Sequence, residues 1–165
     1  MTATVIGKLI EEGKLRWNST LNEIFGQEYR LHDSFRGVTI AMLLVHRSGI
    51  RREIPTSALE VLARNPGIQP RRARAFLTEI LLAGAPDKTP NTEFSYSNMG
   101  YTVLGAVVDT VTDTSWETQM REVIFEPLQM NTCSFGIPTK HSQDYTQPWG
   151  HELVNGVVTP VGPGF

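Results

Sequence analysis

The sequence predicts an α+β chain that is mostly helical and carries a β-hairpin near its C-terminal end. Two observations carry this. Met99, Val103, Leu104, Val107, Val108 and Val111 recur close to a 3.6-residue period, the mark of a helix with one apolar face. Further on, Asn155-Gly156 separates His151–Val154 from Val157–Pro160, and Asn-Gly between two strand-like runs is a tight hairpin turn. At 165 residues the chain is the size of one domain and can bury a core.

Taken in order, Met1 to Gly13 reads as a helix already under way. Val5, Ile6, Leu9 and Ile10 form its apolar stripe, and Gly13 stops it from the position after the cap. Asn18 or Ser19 is the expected cap of a short helix toward Phe25. Val38 to His46 is the next helix, capped by Thr39 and ended by Ser48-Gly49. Thr56 to Arg64 is weakly helical and stops at Asn65-Pro66-Gly67. Arg71 to Ala83 is a stronger helix with Phe76, Ile80 and Leu81 on one face and Gly84 as terminator. A loop rich in Pro and Thr, Pro86 to Ser95, leads into Tyr96-Ser97-Asn98 and the helix Met99–Thr112. Thr114-Ser115-Trp116-Glu117 matches a capping box and opens a helix that Pro127 ends.

Composition excludes several classes of function. Fifteen basic residues stand against 17 acidic ones, so charge gives no reason to bind nucleic acid or an anionic membrane. Arg71-Arg72-x-Arg74 is the local exception, read as a solvated helix face rather than a phosphate site. No run of 18 apolar residues suggests a membrane span, and no basic region followed by an apolar run marks a signal peptide. A single cysteine, Cys133, rules out a disulfide within the chain.

Tyr96 and Asn98 are the candidate site residues. A phenol and an amide two positions apart, at a loop-to-helix junction, can point into one cleft and there move a proton and hold a substrate. Taken alone, Tyr96 is a loop aromatic and Asn98 a helix N-cap. Their surroundings favour the functional reading. Thr2 to Leu15, Val38 to Ile50, Phe94 to Gly105 and Ile124 to Thr132 together resemble the serine β-lactamase and penicillin-binding-protein-like hydrolase family, particularly its class C β-lactamase and esterase branch. Four such passages occur in the family's order. Pro148-Trp149-Gly150-His151 is similar to a segment of some bacterial members. Three positions depart from the pattern: Arg47 stands where the family usually has Thr, and Asn91 and Gln129 where it usually has Gly. Asn tolerates left-handed backbone, whereas Gln129 would strain its turn if a positive φ is needed.

The resemblance implies a β-lactamase/transpeptidase-like fold and acyl transfer without a cofactor. A Ser attacks a carbonyl, an acyl-enzyme forms, water releases it, and backbone N–H groups stabilise the oxyanion. Tyr96 would sit beside that Ser and its Lys, as phenolate or as neutral relay. Asn98 would donate its amide to the substrate or hold the Lys. Yet no Ser or Thr in the chain has Lys three positions later, so the family's Ser-x-x-Lys is absent. Its Lys-Thr-Gly motif is absent too, and Lys140-His141-Ser142 lacks the glycine. The expectation is a partial β-lactamase-related domain over 1–165: 1–13 is the helix after the nucleophile, 38–136 a helical subdomain, and 148–165 the start of a β region. The chain is expected to be an internal fragment, inactive alone; the alternatives are a non-catalytic helical binding or scaffold module and a fragment completed by another chain. The implied partner is a small acyl substrate (a β-lactam, an ester or a D-amino-acid peptide). A periplasmic or exported location follows only by likeness to exported relatives. With most of the sheet lacking, the stripe Val5, Ile6, Leu9, Ile10 is expected to be exposed or to pair with a second copy.

Other residues invite weaker readings. His46 beside Ser48 suggests a Ser–His pair, but no acid orients the ring and the two lie at a helix end, so a structural role is expected. His32, His141 and His151 are scattered, without metal-ligand spacing. Asp109 and Asp113 fit a solvated face. Trp17, Trp116 and Trp149 are read as packing residues, with Trp149 also placed to line a cleft.

Overall fold

The computed structural model describes residues 1–136 and 149–161. These belong to two compact units, Met1–Gln129 and Met130–Phe165. The first is helical. Its elements are α1 (Thr2–Glu11), α2 (Leu21–Phe25), α3 (Asp33–Arg36), α4 (Ile40–Leu44), α5 (Thr56–Ala63), α6 (Pro70–Ala83), α7 (Asn98–Thr112) and α8 (Trp116–Met120). A π-helical turn, Arg121–Phe125, continues α8 and is closed by Glu126 N–H donating to the Arg121 carbonyl at 2.9 Å. The second unit carries the hairpin, β1 (Gly150–Val154) against β2 (Val157–Val161), antiparallel, with Val154 opposite Val157. Asn155 and Gly156 take φ of 51° and 80°, the left-handed pair that the two-residue turn requires. No helix among the described residues is long and apolar enough to cross a membrane.

Helix α7 is the axis of the first unit. It packs against α1, α2, α4, α6 and α8, and Val103, Leu104, Ala106, Val107 and Val108 are buried almost completely. Nearly every side of its middle meets another helix, so the apolar stripe foreseen for it broadens into a buried cylinder.

α1 ends as its sequence predicts. Gly13 takes φ +73°; its N–H donates to the Ile10 carbonyl at 3.0 Å, and Lys14 N–H reaches the Leu9 carbonyl at 2.9 Å, the paired bonds of a Schellman end. The fate of its stripe differs from expectation. Val5, Ile6 and Leu9 are at most 1% exposed and Ile10 is half-buried. α7, α8 and the π turn cover them, so this stripe offers no surface to a second copy.

Several caps also move. Thr39 caps α4 as expected, its hydroxyl accepting from Met42 N–H at 3.3 Å, but α4 ends at Leu44. α2 is capped by Thr20, not Asn18 or Ser19, in a capping box with Glu23. Ser19 instead accepts from Arg16 N–H at 3.0 Å. α8 is capped by Ser115, whose hydroxyl accepts from Thr118 N–H; the box does not begin at Thr114, because Glu117 is committed elsewhere. α3 has no counterpart in the sequence reading. On α6 the fully buried residues are Leu77, Thr78, Leu81 and Leu82; Phe76 and Ile80 are only half-buried. Trp17, read as a packing residue, is more than half exposed.

Gln129 takes φ +53° in the turn after the π segment. Asn, Asp and His tolerate this region far better than Gln, for which a left-handed backbone costs about 1–2 kcal/mol. Gln129→Gly is therefore expected to stabilise the chain by about 1 kcal/mol. A higher urea midpoint at unchanged slope would show it; an unchanged or lower midpoint would mean that the turn holds no strain.

Candidate active site

The loop that delivers Tyr96 is fastened to the segment after α4. The Gly49 carbonyl accepts from Asp87 N–H at 3.0 Å, and the Arg47 carbonyl accepts from Asn91 N–H at 2.8 Å. The Arg47 guanidinium returns to the Asn91 carbonyl at 3.0 Å. Asn91 sits at φ +65°, the left-handed turn expected of it. The two departures from the family pattern thus meet: Arg47 and Asn91 clasp each other across the base of the loop.

The loop ends at Ser97, which caps α7. Its buried hydroxyl accepts from Gly100 N–H at 2.8 Å and donates to the Arg51 carbonyl at 2.7 Å. The capping work falls to Ser97, so Asn98 is not spent on it, contrary to the bland reading of that residue. Asn98 is the first helical residue and is exposed. The Tyr96 hydroxyl donates to its Oδ1 at 2.9 Å. With Oδ1 engaged, Asn98 keeps Nδ2 as donor. Tyr96 is 46% exposed; its oxygen lies at the surface and not in a sealed interior. The two predicted residues are therefore brought together, hydrogen bonded and open to solvent.

Around them stand residues that no local pattern marks. The His46 ring centroid lies 4.6 Å from that of Tyr96 and 5.2 Å from that of Tyr101. The Tyr101 hydroxyl donates to the Leu44 carbonyl at 3.2 Å. The Arg52 guanidinium lies 5.7 Å from the Tyr96 ring centroid, within cation–π range. Ser48 is buried and accepts from Ile50 N–H at 3.4 Å, while His46 Nδ1 accepts from Ser97 N–H at 3.2 Å. Both side chains therefore make structural bonds to backbone amides, as expected for His46, and among the described residues no His46–Ser48 pair forms. His32 Nδ1 caps α3 by accepting from Ser34 N–H. Among the described residues no cluster of His, Cys, Asp or Glu could hold a metal ion. Lys140-His141-Ser142 and Pro148 lie outside the described residues.

Beside Asn98 a groove of about 450 Å³ runs along α7, lined among others by Thr2, Tyr101, Thr102, Gly105 and Trp116. Its floor rests on an ion cluster. Arg74 donates in two-pronged fashion to Asp109, at 2.8 and 2.9 Å, and to Glu117 at 3.0 Å twice. Burial works against the Arg74 charge, but its hydrogen bonds to Glu117 and Asp109 outweigh it and hold the guanidinium above even its usual range. Burial likewise disfavours the Glu117 carboxylate, yet its bond to Arg74 keeps it below the ordinary carboxylate range. The sequence suggests solvated faces for Arg74 and Asp109, whereas their side chains are only 12% and 7% exposed, because each is covered by its partner on another helix. A Cβ on Gly105 would stand 2.6 Å from Arg74 Cδ, so the absence of a side chain there lets Arg74 cross α7.

A family model described as Beta-lactamase matches residues 1–163. Penicillin-binding protein 4 of Amycolatopsis lactamdurans is 30% identical over 134 residues, 79% of this chain and 32% of that protein. Protein flp of Staphylococcus aureus is 30% identical over 137 residues, 81% of this chain and 26% of that protein. The chain therefore spans a third or less of these curated relatives. Among solved structures, the octameric penicillin-binding protein homologue from Pyrococcus abyssi is 27% identical with a TM-score of 0.63, over 96% of this chain and 36% of that one. A D-stereospecific amidohydrolase from Streptomyces sp. shares the fold at a TM-score of 0.66 and 24% identity, over 97% of this chain and 49% of that one.

Proposed function

Because the chain belongs to the beta-lactamase family, we propose that it supplies one wall of a serine acyl-transfer site, with Tyr96 and Asn98 as its chemical groups. The observation that carries this is the hydroxyl of Tyr96, solvent-open and bonded to Asn98 at the first turn of α7. Tyr96 would take part in moving the proton of the attacking serine. Asn98 Nδ2 would donate to the acyl side of the substrate, or to the amine that activates the serine. The substrate class is a small acyl compound: a β-lactam, an ester or a D-amino-acid peptide. The D-stereospecific amidohydrolase and penicillin-binding relatives support that range without choosing within it.

The 165 residues contain no Ser-x-x-Lys, so the nucleophile and its base come from residues not among them. The purified chain is expected to turn over neither a nitrophenyl ester nor a chromogenic cephalosporin. Supplied with a family polypeptide segment bearing Ser-x-x-Lys, it is expected to gain turnover, reduced about 100-fold or more by Tyr96→Phe. Turnover by the chain alone would overturn the placement of the nucleophile outside these residues, and reconstituted turnover that Tyr96→Phe leaves unchanged would overturn the reading of Tyr96. Self-association, supported by the octameric description of the Pyrococcus abyssi homologue, is read from the same sample: sedimentation as a single 18.4 kDa species excludes it.

A further inference from the structure

The inference deepens the acyl-transfer reading and rests on it; it concerns what holds the Tyr96 phenol in place. His46 lies 51 positions before Ser97 in the chain, yet it meets the backbone on both sides of Tyr96. Its carbonyl accepts from Ser95 N–H at 2.8 Å, and its ring Nδ1 accepts from Ser97 N–H at 3.2 Å. Both amides that flank Tyr96 are thereby gripped by one residue. The same ring lies against the phenol ring, tilted at 44°. On its other contacts the imidazole meets Tyr101 and, edge-on at 5.8 Å, Phe94. Tyr101 is itself tied to the Leu44 carbonyl.

His46 also departs from ordinary backbone, with φ +56° just beyond α4. A ring nitrogen that accepts an amide hydrogen is unprotonated, so the imidazole proton sits on Nε2. We propose that His46 is the positioning residue for Tyr96. Through Nδ1, its carbonyl and its ring face, it sets the phenol so that the hydroxyl meets Asn98 Oδ1.

The test uses the full 165-residue chain, labelled with 15N. A coupling between the Ser97 amide nitrogen and His46 Nδ1 across their hydrogen bond is expected in the unaltered protein. In His46→Phe, which keeps an aromatic ring and loses the acceptor, Ser97 amide exchange is expected to quicken about tenfold. In His46→Asn, whose Oδ1 can replace Nδ1 and which tolerates positive φ, it should stay within about threefold of the parent. The side-chain amide signals of Asn98 should move in His46→Phe and not in His46→Asn. Equal Ser97 protection in the two variants, or Asn98 signals indifferent to both, overturns the proposal. Should His46→Phe fail to fold, the parent protein decides alone: absence of the coupling overturns it. That outcome leaves the acyl-transfer reading standing, whereas reconstituted turnover indifferent to Tyr96→Phe would sink the latter and leave the coupling intact.

Discussion

Asp109→Ala is expected to destabilise the chain by about 3 kcal/mol, the low end of the cost of breaking a buried ion pair, because Glu117 still faces Arg74. Asp109 carries more than one bond. It receives both prongs of Arg74, and its Oδ1 also accepts from Trp116 N–H at 2.6 Å, where α8 begins. Removing it leaves a largely buried guanidinium with Glu117 in place of two carboxylates, leaves an amide at the α8 start without this acceptor and loosens the joint of α6, α7 and α8. Glu117 softens the loss, since it still faces Arg74. The urea midpoint at unchanged slope is the measurement. Glu11→Ala serves as control: the Lys8–Glu11 pair at 2.9 Å has side chains 46% and 73% exposed, so solvent screens it and its loss should leave the midpoint essentially unchanged. Arg74→Ala combined with Asp109→Ala should cost less than the two separate losses together, because the second removal no longer exposes an unmatched charge. If Asp109→Ala behaves like Glu11→Ala, the cluster is a surface ornament and the reading of the α6–α8 joint is wrong.

What was legible in the chain and what was not divide along sequence distance. The Gly13 stop, the Thr39 cap, the left-handed Asn91 and the Asn155-Gly156 turn are local devices, each decided by a few neighbouring residues, and each is present. Tyr96 and Asn98 are legible for the same reason: they lie two residues apart at one loop-to-helix junction. Arg74 and Asp109 lie 35 positions apart and Arg74 and Glu117 lie 43 apart. Their charges looked solvated because the partner that buries each is on another helix. His46 was seen as structural but not as a brace for Tyr96, since that role exists only once the 86–95 loop folds back over it. Helix α3 is too short for periodicity to register, and its cap is an imidazole instead of a hydroxyl or carboxylate. The stripe on α1 was read correctly as apolar and wrongly as uncovered. Periodicity says which face is apolar, not which helix will lie on it.

Gly49→Ala is expected to be the most damaging single-carbon change near the site. Two costs fall together there. Gly49 has φ +75°, which costs a residue with a β-carbon about 1–2 kcal/mol. In addition, a Cβ at this position would collide with the carbonyl of Lys88 and press on Pro86. The obstacle is backbone and cannot rotate away, because Asp87 N–H is bonded to the carbonyl of Gly49 itself. Relieving the clash requires the 86–95 loop to lift, which pulls against the Arg47–Asn91 clasp and the Ser95 and Ser97 bonds to His46. The expected total is about 3–4 kcal/mol, with strain and overpacking acting together. Gly13→Ala separates the two costs. Gly13 has nearly the same φ, +73°, but nothing lies within 4 Å of its would-be Cβ, so it should lose only about 1 kcal/mol. The local reading is equally decisive. Gly49→Ala should shift the amide signals of Ser95 and Ser97 and the side-chain amide of Asn98, whereas Gly13→Ala should leave them in place. Equal midpoints for the two variants would show that the loop yields without effort, and that Tyr96 is not held by the segment after α4.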